Sequence, residues 1–516
     1  MKKKFLGIIF MSTLFYCFST NYYKITNVIY DLQGQTREYV LDTKVKIDKE
    51  KVFENEDSLI NYIEDYKQRL DNTRTFEKIN VDFTVSEPNE NNICDVELIV
   101  TTKDSFHFLA MPYPSFNSNT GFKFKLKAKD TNFLGSMESM SGDFNFAIDT
   151  KENKTPEYKF GFNIDFDTPF KLGIFEVNWV NSHELYYTIG ENTPEWDLKT
   201  GLEFVLPLEK CSVNFNFYQS FIRNLDYEEK DINGEVIHYG DGTYFVEKAE
   251  VSIPFVIQEV EKWGKIYYKP YINIIWNWDF DGIHPENNDL TSPSMSIGQT
   301  ISTSRIDWID NFRNGLSITL TQSFSYNFYK NDFIPGIKGE LQGFKSLKYL
   351  GLCTDIYAFA YLNGTEKIGE RLRGIRDDQY FSFESGKSNL YACETPAAVV
   401  FNFDLPIKLF STNWSKVPVF NKLSFMKYFN FELQVSPFID FAITHNKATN
   451  SSFSLKDGFY AGGLEVLVFP QKWKGMTVRA SLGVDLGRYV LKNKINQEWR
   501  DSVSKYELSI GLGLHY

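Results

Sequence analysis

The sequence predicts a mainly β fold: a C-terminal transmembrane antiparallel β-barrel of about 16 strands, preceded by one small α+β domain. Three observations carry this. Aromatic residues make up 17% of the 516 residues, and such side chains suit pleated, half-buried surfaces. From Ser105 to Tyr516 apolar and polar residues alternate in segment after segment, as in strands with one face in lipid and the other in a polar lumen. Beyond Phe18 no apolar run approaches the ~20 residues a spanning helix needs, and 24% of residues are charged at a mean hydropathy of -0.33.

Residues 1–20 read as a secretory signal peptide. Lys2, Lys3 and Lys4 precede an apolar stretch from Phe5 to Phe18, and small Ser19 and Thr20 follow. That stretch is too short for a spanning helix. Bulky Tyr16 before Cys17 disfavours a lipid-anchored start. The remaining cysteines, Cys94, Cys211, Cys353 and Cys393, are widely spaced with no C-x-x-C, so neither a zinc site nor a disulfide framework is signalled. The net charge of -12 without a basic block argues against nucleic acid as a partner.

Residues 21–104 form the small domain. Tyr23 to Asp31 reads as a strand, and Gly34-Gln35-Thr36 as a turn into a first helix. Asp57-Ser58 opens a second helix, with Leu59, Tyr62, Ile63, Tyr66 and Leu70 at helical spacing. Ile79, Val81, Phe83 and Val85 then alternate, as do Val96, Leu98 and Val100. A sheet this small leaves an edge, which either receives an extended peptide by strand addition or simply spaces the barrel from its surroundings.

Residues 105–516 form the barrel. Phe122, Phe124 and Leu126 alternate with Lys123, Lys125 and Lys127; Phe160, Phe162 and Ile164 alternate with Gly161 and Asn163. Lipid cannot satisfy a sheet edge, so such a sheet must close. The last strand runs over Leu508, Ile510, Leu512, Leu514 and Tyr516, with Glu507, Ser509, Gly511, Gly513 and His515 on its other face. Strands are expected near 504–516, 476–487, 457–469, 430–444 and 395–407. With Tyr516 at the periplasmic side, this parity puts the long loop 363–394 outside. The loop holds Arg371-Leu372-Arg373-Gly374-Ile375-Arg376-Asp377-Asp378. On strand 430–444, Glu432, Gln434, Ser436, Phe438, Asp440 and Ala442 face the lumen. Asp404 and Glu465 point inward by the same alternation, so three acids converge on one wall.

In this order, Asn132-Phe133-Leu134-Gly135, Leu372-Arg373-Gly374-Ile375 and Phe438-Ile439-Asp440-Phe441-Ala442 resemble the motifs of the BamA/TamA/FhaC superfamily of outer-membrane assembly and secretion proteins. The family's loop motif has Val before its Arg-Gly and an aromatic after it, so both flanks differ here; its strand motif ends in Gly where this chain has Ala442. The resemblance implies that the small domain is a periplasmic POTRA domain, that the loop folds back into the lumen, and that Leu512, Leu514 and Tyr516 form a C-terminal insertion signal. Arg373 is expected to pair with Asp440, with Asp404 or Glu465 nearby, because a planar guanidinium holds carboxylates bidentately. Pro112 and Pro114 on the first barrel strand cannot donate ladder hydrogen bonds, and Gly511 and Gly513 weaken the last. The resemblance implies that this seam opens laterally for a client strand.

No G-x-S-x-G, H-E-x-x-H or Walker loop occurs, so no enzyme and no cofactor are expected. The expected partners are the outer-membrane bilayer, unfolded or partly folded client proteins and accessory lipoproteins. The expected function is assisted insertion or translocation of proteins at the outer membrane. The alternative is a passive channel or surface-exposed barrel, which the lumenal lysine row 123–129 would suit.

Overall fold

The computed structural model describes residues 21–515 apart from 118–120, 150–156, 225–226, 231–235, 240–241, 261, 282–291, 376–379, 382–389, 392–393, 419, 424, 447–450, 492–493 and 495–504. The expectations for segment 1–20, Cys393, Tyr516 and Arg376 to Asp378 lie outside the described residues.

The N-terminal unit comprises β1 (Tyr22–Gln33), α1 (Glu38–Lys44), β2 (Val52–Phe53), α2 (Glu56–Asn72), β3 (Phe76–Val85) and β4 (Ile93–Asp104). Its sheet has the order β2-β1-β4-β3, with β1 and β4 parallel and the other pairs antiparallel. It is POTRA-like. Two-residue β2 was not expected, because a pairing that short leaves no alternation to read. Helix α2 starts before Asp57: the Asn55 side chain accepts the Ser58 N–H at 2.8 Å and so satisfies one of the unpaired donors at the helix start. Leu59, Ile63, Tyr66 and Leu70 bury the helix's apolar stripe against Ile25, Val96, Leu98 and Val100 of the sheet. Each such side chain contributes roughly 1.5–3 kcal/mol when fully buried. Strand β3 is an edge, and pairs with β4 alone among the described residues.

The rest of the chain is a closed antiparallel barrel. Its ring holds 21 strand segments. Phe255–Val260 continues Gly242–Ser252 along the same neighbour, Ile407–Ser411 likewise continues Ala397–Asp404, and Ser451–Ser452 is a two-residue flap. Eighteen spanning strands remain among the described residues, against the sixteen or so that alternation suggests. Phe162, Phe217, Ile439 and Leu508 project outward and are exposed, while Asn402, Gln434 and Asp440 are buried inside. The ring closes between the first strand, Phe108–Asn117, and the last, Tyr506–Leu512.

The last strand is shorter than the alternation predicts. Gly513 adopts φ +97°, a left-handed conformation that ends the strand. Leu514 and His515 then turn away from the outer face and line a cavity of about 30 Å³ beside Arg313, Cys353, Asp404 and Glu465.

The N-terminal unit is fastened to one mouth of the barrel. Asn132 Nδ2 donates to Thr36 Oγ1 at 2.9 Å and to Asp104 Oδ2 at 3.2 Å. Gly135 has φ +69°, and a Cβ there would sit 1.8 Å from the Gln35 carbonyl oxygen. Its own carbonyl accepts the Arg37 N–H at 3.0 Å. The Asn-Phe-Leu-Gly turn is therefore the joint between the two parts. On the other side, Asp65 meets Arg305 at 2.7 Å, Asn72 meets Asp307 at 2.9 Å and Asp71 meets Lys474 at 3.0 Å. Arg74 lies over the Trp308 ring at 4.2 Å and donates to the Lys474 carbonyl at 2.6 Å; burial pushes its guanidinium down to about 10. Loop 362–396 opens at the opposite mouth.

Candidate functional site

The loop between strands Gly351–Tyr361 and Ala397–Asp404 turns back into the lumen. A short 3₁₀ turn, Gly369–Arg371, delivers the four residues that follow. Ile368, Leu372 and Ile375 are buried in an apolar cluster with Tyr357, Phe359, Val400 and Phe459. The departures flanking Arg373-Gly374 thus have a packing reason: both are aliphatic plugs in an aliphatic and aromatic socket.

Arg373, only 6% exposed, reaches the strand wall. Its Nε and Nη2 donate to Asp440 at 2.9 and 2.7 Å, and its Nη1 and Nη2 donate to Asp404 at 2.7 and 3.1 Å. Its backbone N–H also donates to Asp440, at 3.0 Å. Alternation explains why the acids converge. Asp440 lies opposite Asn402 and Asp404 opposite Phe438, so both carboxylates share one face of adjacent strands. Glu465, on the next strand opposite Ser436, is 3.9 Å from Arg373 and 3.9 Å from Arg479. The guanidinium also lies 3.7 Å from the Phe438 ring centroid, and Phe438 itself is buried. This gives the strand motif's aromatic a role beside its acid.

Gly374 brings the loop backbone against the barrel wall. It has φ +96°, and a Cβ would fall 2.5 Å from the backbone of Gly483 and Val484. A Cβ on Gly483 would in turn lie 2.6 Å from Arg373 C and Gly374 N. At this approach the Gly374 N–H donates to the Glu507 carboxylate at 3.0 Å. Glu507 is on the last strand, so the loop holds the seam directly. Sequence reasoning put Glu507 on the inner face of that strand but gave it no partner. The pairing of Gly374 with Gly483 left no signal, since glycines on a strand read only as weakness.

The remaining lumenal contacts extend the lock. Arg371 Nη1 donates to Glu340 at 2.8 Å and its guanidinium stacks 3.6 Å from the Tyr357 ring; Asn402 Nδ2 donates to the Arg371 carbonyl at 2.6 Å. Ala442, where the family pattern has Gly, is buried among the loop's apolar anchors. Of the seam residues, Pro112 and Pro114 lie opposite Leu126 and Phe124, and Gly511 pairs with Arg479. Leu512 ends the last strand, and Leu514 lies beyond it. Among the described residues no group of three or more His, Cys, Asp or Glu is placed to hold a metal ion.

No protein-family profile matches the sequence, and no curated protein matches it. Among solved structures, CdiB from Acinetobacter baumannii is similar at 11% identity and TM-score 0.48, over 96% of this chain and 74% of that one. CdiB from Escherichia coli is similar at 10% identity and TM-score 0.48, over 94% and 75%. BamA from Haemophilus ducreyi lacking POTRA domains 1–3 is similar at 11% identity and TM-score 0.33, over 94% and 84%. At these identities, with TM-scores below one half, the likenesses fix neither family nor activity.

Proposed function

We propose that this chain is an outer-membrane barrel of the BamA/TamA/FhaC kind that assists insertion or translocation of client proteins. Residues 21–104 form its periplasmic domain and 105–516 its membrane-embedded part. The observation that carries the reading is the Gly374 N–H bonded to Glu507 while Arg373 grips Asp440 and Asp404. One loop thereby ties two late strands to the strand at which the ring closes, so seating or release of the loop is coupled to the seam. Client entry is supported by the β3 edge, which borders a groove with α2 residues Glu64, Gln68 and Asp71; an extended segment adds there by main-chain pairing. The energy comes from client folding.

The test is depletion of the protein followed by quantitative proteomics of outer membranes, with a second strain in which cysteines lock Phe108–Asn117 to Tyr506–Leu512. Loss of other barrel or secreted proteins in both strains is expected. An unchanged outer membrane in both, with robust single-channel conductance from the purified protein, would establish the passive channel instead.

A further inference from the structure

At the mouth that carries the N-terminal unit, short turns suffice to reverse the chain, as at residues 310–311 and 347–350. Residues 412–430, between Ile407–Ser411 and Phe431–Asn446, are far more than a reversal needs. Their composition also stands apart. In a protein of net charge -12, they hold three lysines, five aromatic residues and not one Asp or Glu.

The segment is folded, not slack. The Thr412 N–H donates to the Phe431 carbonyl and the Phe431 N–H to the Thr412 hydroxyl, both at 2.8 Å, which closes its base. Trp414–Lys416, Phe420–Lys422 and Met426–Phe429 are 3₁₀ turns. Trp414 is the internal post: its ring lies 5.0 Å from that of Phe420 and 6.3 Å from that of Phe431, and its Nε1 donates to the Phe429 carbonyl at 2.9 Å. What this scaffold leaves outside is apolar. Leu423, Phe425 and Phe429 are 44, 53 and 54% exposed, and Lys416 and Lys422 are exposed beside them.

Two observations say what covers this surface. The first is continuity with the barrel wall. Phe431, on which Trp414 rests, precedes buried Glu432 and so lies on the outward face of its strand, where it meets exposed Phe410 at 6.2 Å. In the other direction Phe429 meets Trp473 at 6.3 Å, and Tyr428 meets Phe106 at 5.8 Å, two residues before the first barrel strand. The second is charge: cations without a single acid are drawn to anionic lipid.

We propose that residues 412–430 are an interfacial anchor, lying in the bilayer leaflet on the side of the N-terminal unit and binding anionic phospholipid. Leu423, Phe425 and Phe429 reach the upper acyl chains, and Lys416 and Lys422 meet the phosphate-bearing headgroups. The depth fits this chemistry. The segment starts where strand Ile407–Ser411 ends, at the rim of the wall, which is where aromatic rings and lysines meet headgroups. The anchor rests on the reading of the barrel as membrane-embedded and goes beyond it, by tying one leaflet to the strands beside the seam.

The test is photo-crosslinking of the full chain, with a benzophenone amino acid placed in turn at Phe425, at outward-facing Ile439 and at exposed Glu90 of the N-terminal unit. The protein is reconstituted in vesicles of equal phosphatidylcholine and phosphatidylglycerol, and adducts are read by mass spectrometry. Lipid adducts are expected at Phe425 and Ile439 and none at Glu90. The ratio of phosphatidylglycerol to phosphatidylcholine should be roughly fivefold higher at Phe425 than at Ile439. Lys416→Glu with Lys422→Glu should bring that ratio down to the Ile439 value without changing the yield at Ile439. Lipid adducts at Ile439 with none at Phe425 would overturn the anchor, as would an unchanged ratio in the double variant. Absence of lipid at Ile439 as well would sink the membrane-embedded barrel itself, and the anchor with it. The same probe at Phe425 in native outer membranes should capture lipid; capture of a second copy or another protein in its place would overturn the proposal.

Discussion

Arg373 is one cation shared by two carboxylates, all three out of water, so its worth lies in what its removal leaves behind. Arg373→Ala strands Asp440 and Asp404 with no counter-charge, and breaking a buried pair this way costs about 3–5 kcal/mol. The expected outcome is a lower heat-shift temperature of the folded band on gels and new protease cleavage in loop 362–396. Arg373→Lys keeps the charge but cannot span both acids, and should recover only part of the loss. An unchanged heat shift in both would mean that the lock does not hold the barrel. Gly374→Ala tests the backbone contact separately, because a Cβ 2.5 Å from Gly483 and Val484 cannot be seated without moving the loop. It should expose the loop to protease although the Arg373 side chain itself is unaltered. Strand alternation made Asp440 and Asp404 legible, since period-two parity decides which acids face inward; Arg373 was singled out by the resemblance of its loop to the family motif. Glu507 was not legible, because its partner is a backbone N–H that any residue carries.

At the scale of elements, the joint between the N-terminal unit and the barrel rests on short polar contacts whose strength depends on charge. The Lys472 ammonium, hydrogen-bonded to Glu77, holds that carboxyl below the usual range, and Lys103 at 3.5 Å adds to it. A folded value below the unfolded one stabilises the joint above the ordinary glutamate pKa of about 4.3, and this contribution is lost as pH falls through the folded value. Hydrogen exchange across the turn 471–477 should therefore rise on acidification below about pH 4. In Glu77→Gln it should already be raised at neutral pH and change less with acid. Equal acid response in both proteins would place the sensitivity elsewhere. Asn132→Ala should loosen the opposite side, since the Thr36 hydroxyl loses the donor it accepts from and Asp104 keeps only its bonds from the Gln35 and Thr36 N–H groups and the Thr36 hydroxyl, at roughly 1–3 kcal/mol. The helices and long strands of the N-terminal unit were legible because each repeats its period several times. Two-residue β2 and the Asn55 cap were not, because a pairing that short has no period and a cap needs only one oxygen. The last strand misled: alternation continues through Tyr516, but the left-handed turn at Gly513 ends the strand, and alternation carries no backbone dihedral.

For the molecule as a whole, the two mouths of the barrel are occupied by different parts of one chain: the N-terminal unit packs on one, and loop 362–396 enters from the other. A protein segment therefore enters the lumen and is held against its wall by charge at Arg373 and by apolar packing at Ile368, Leu372 and Ile375. An empty eighteen-stranded ring would enclose an aqueous channel, as barrels of 16–18 strands do. This ring should conduct only when the loop leaves. In planar bilayers the wild-type protein is expected to show low, intermittent conductance, and Arg373→Ala with Leu372→Ser should convert it to large, long-lived openings. Leu372→Ser removes an anchor with no charge, so agreement between it and Arg373→Ala would assign the effect to loop release and not to a changed lumenal field. The order of effects matters as much as their size. If the loop secures the seam through Glu507, then Glu507→Ala should raise client-independent opening while leaving the Arg373 contacts to Asp440 and Asp404 intact, and a cysteine lock across the first and last strands should suppress seam opening without closing the pore left by loop release. A wild-type barrel that already conducts at the level of the released variants would mean that the loop does not plug the lumen, and the coupling between loop and seam would fail with it.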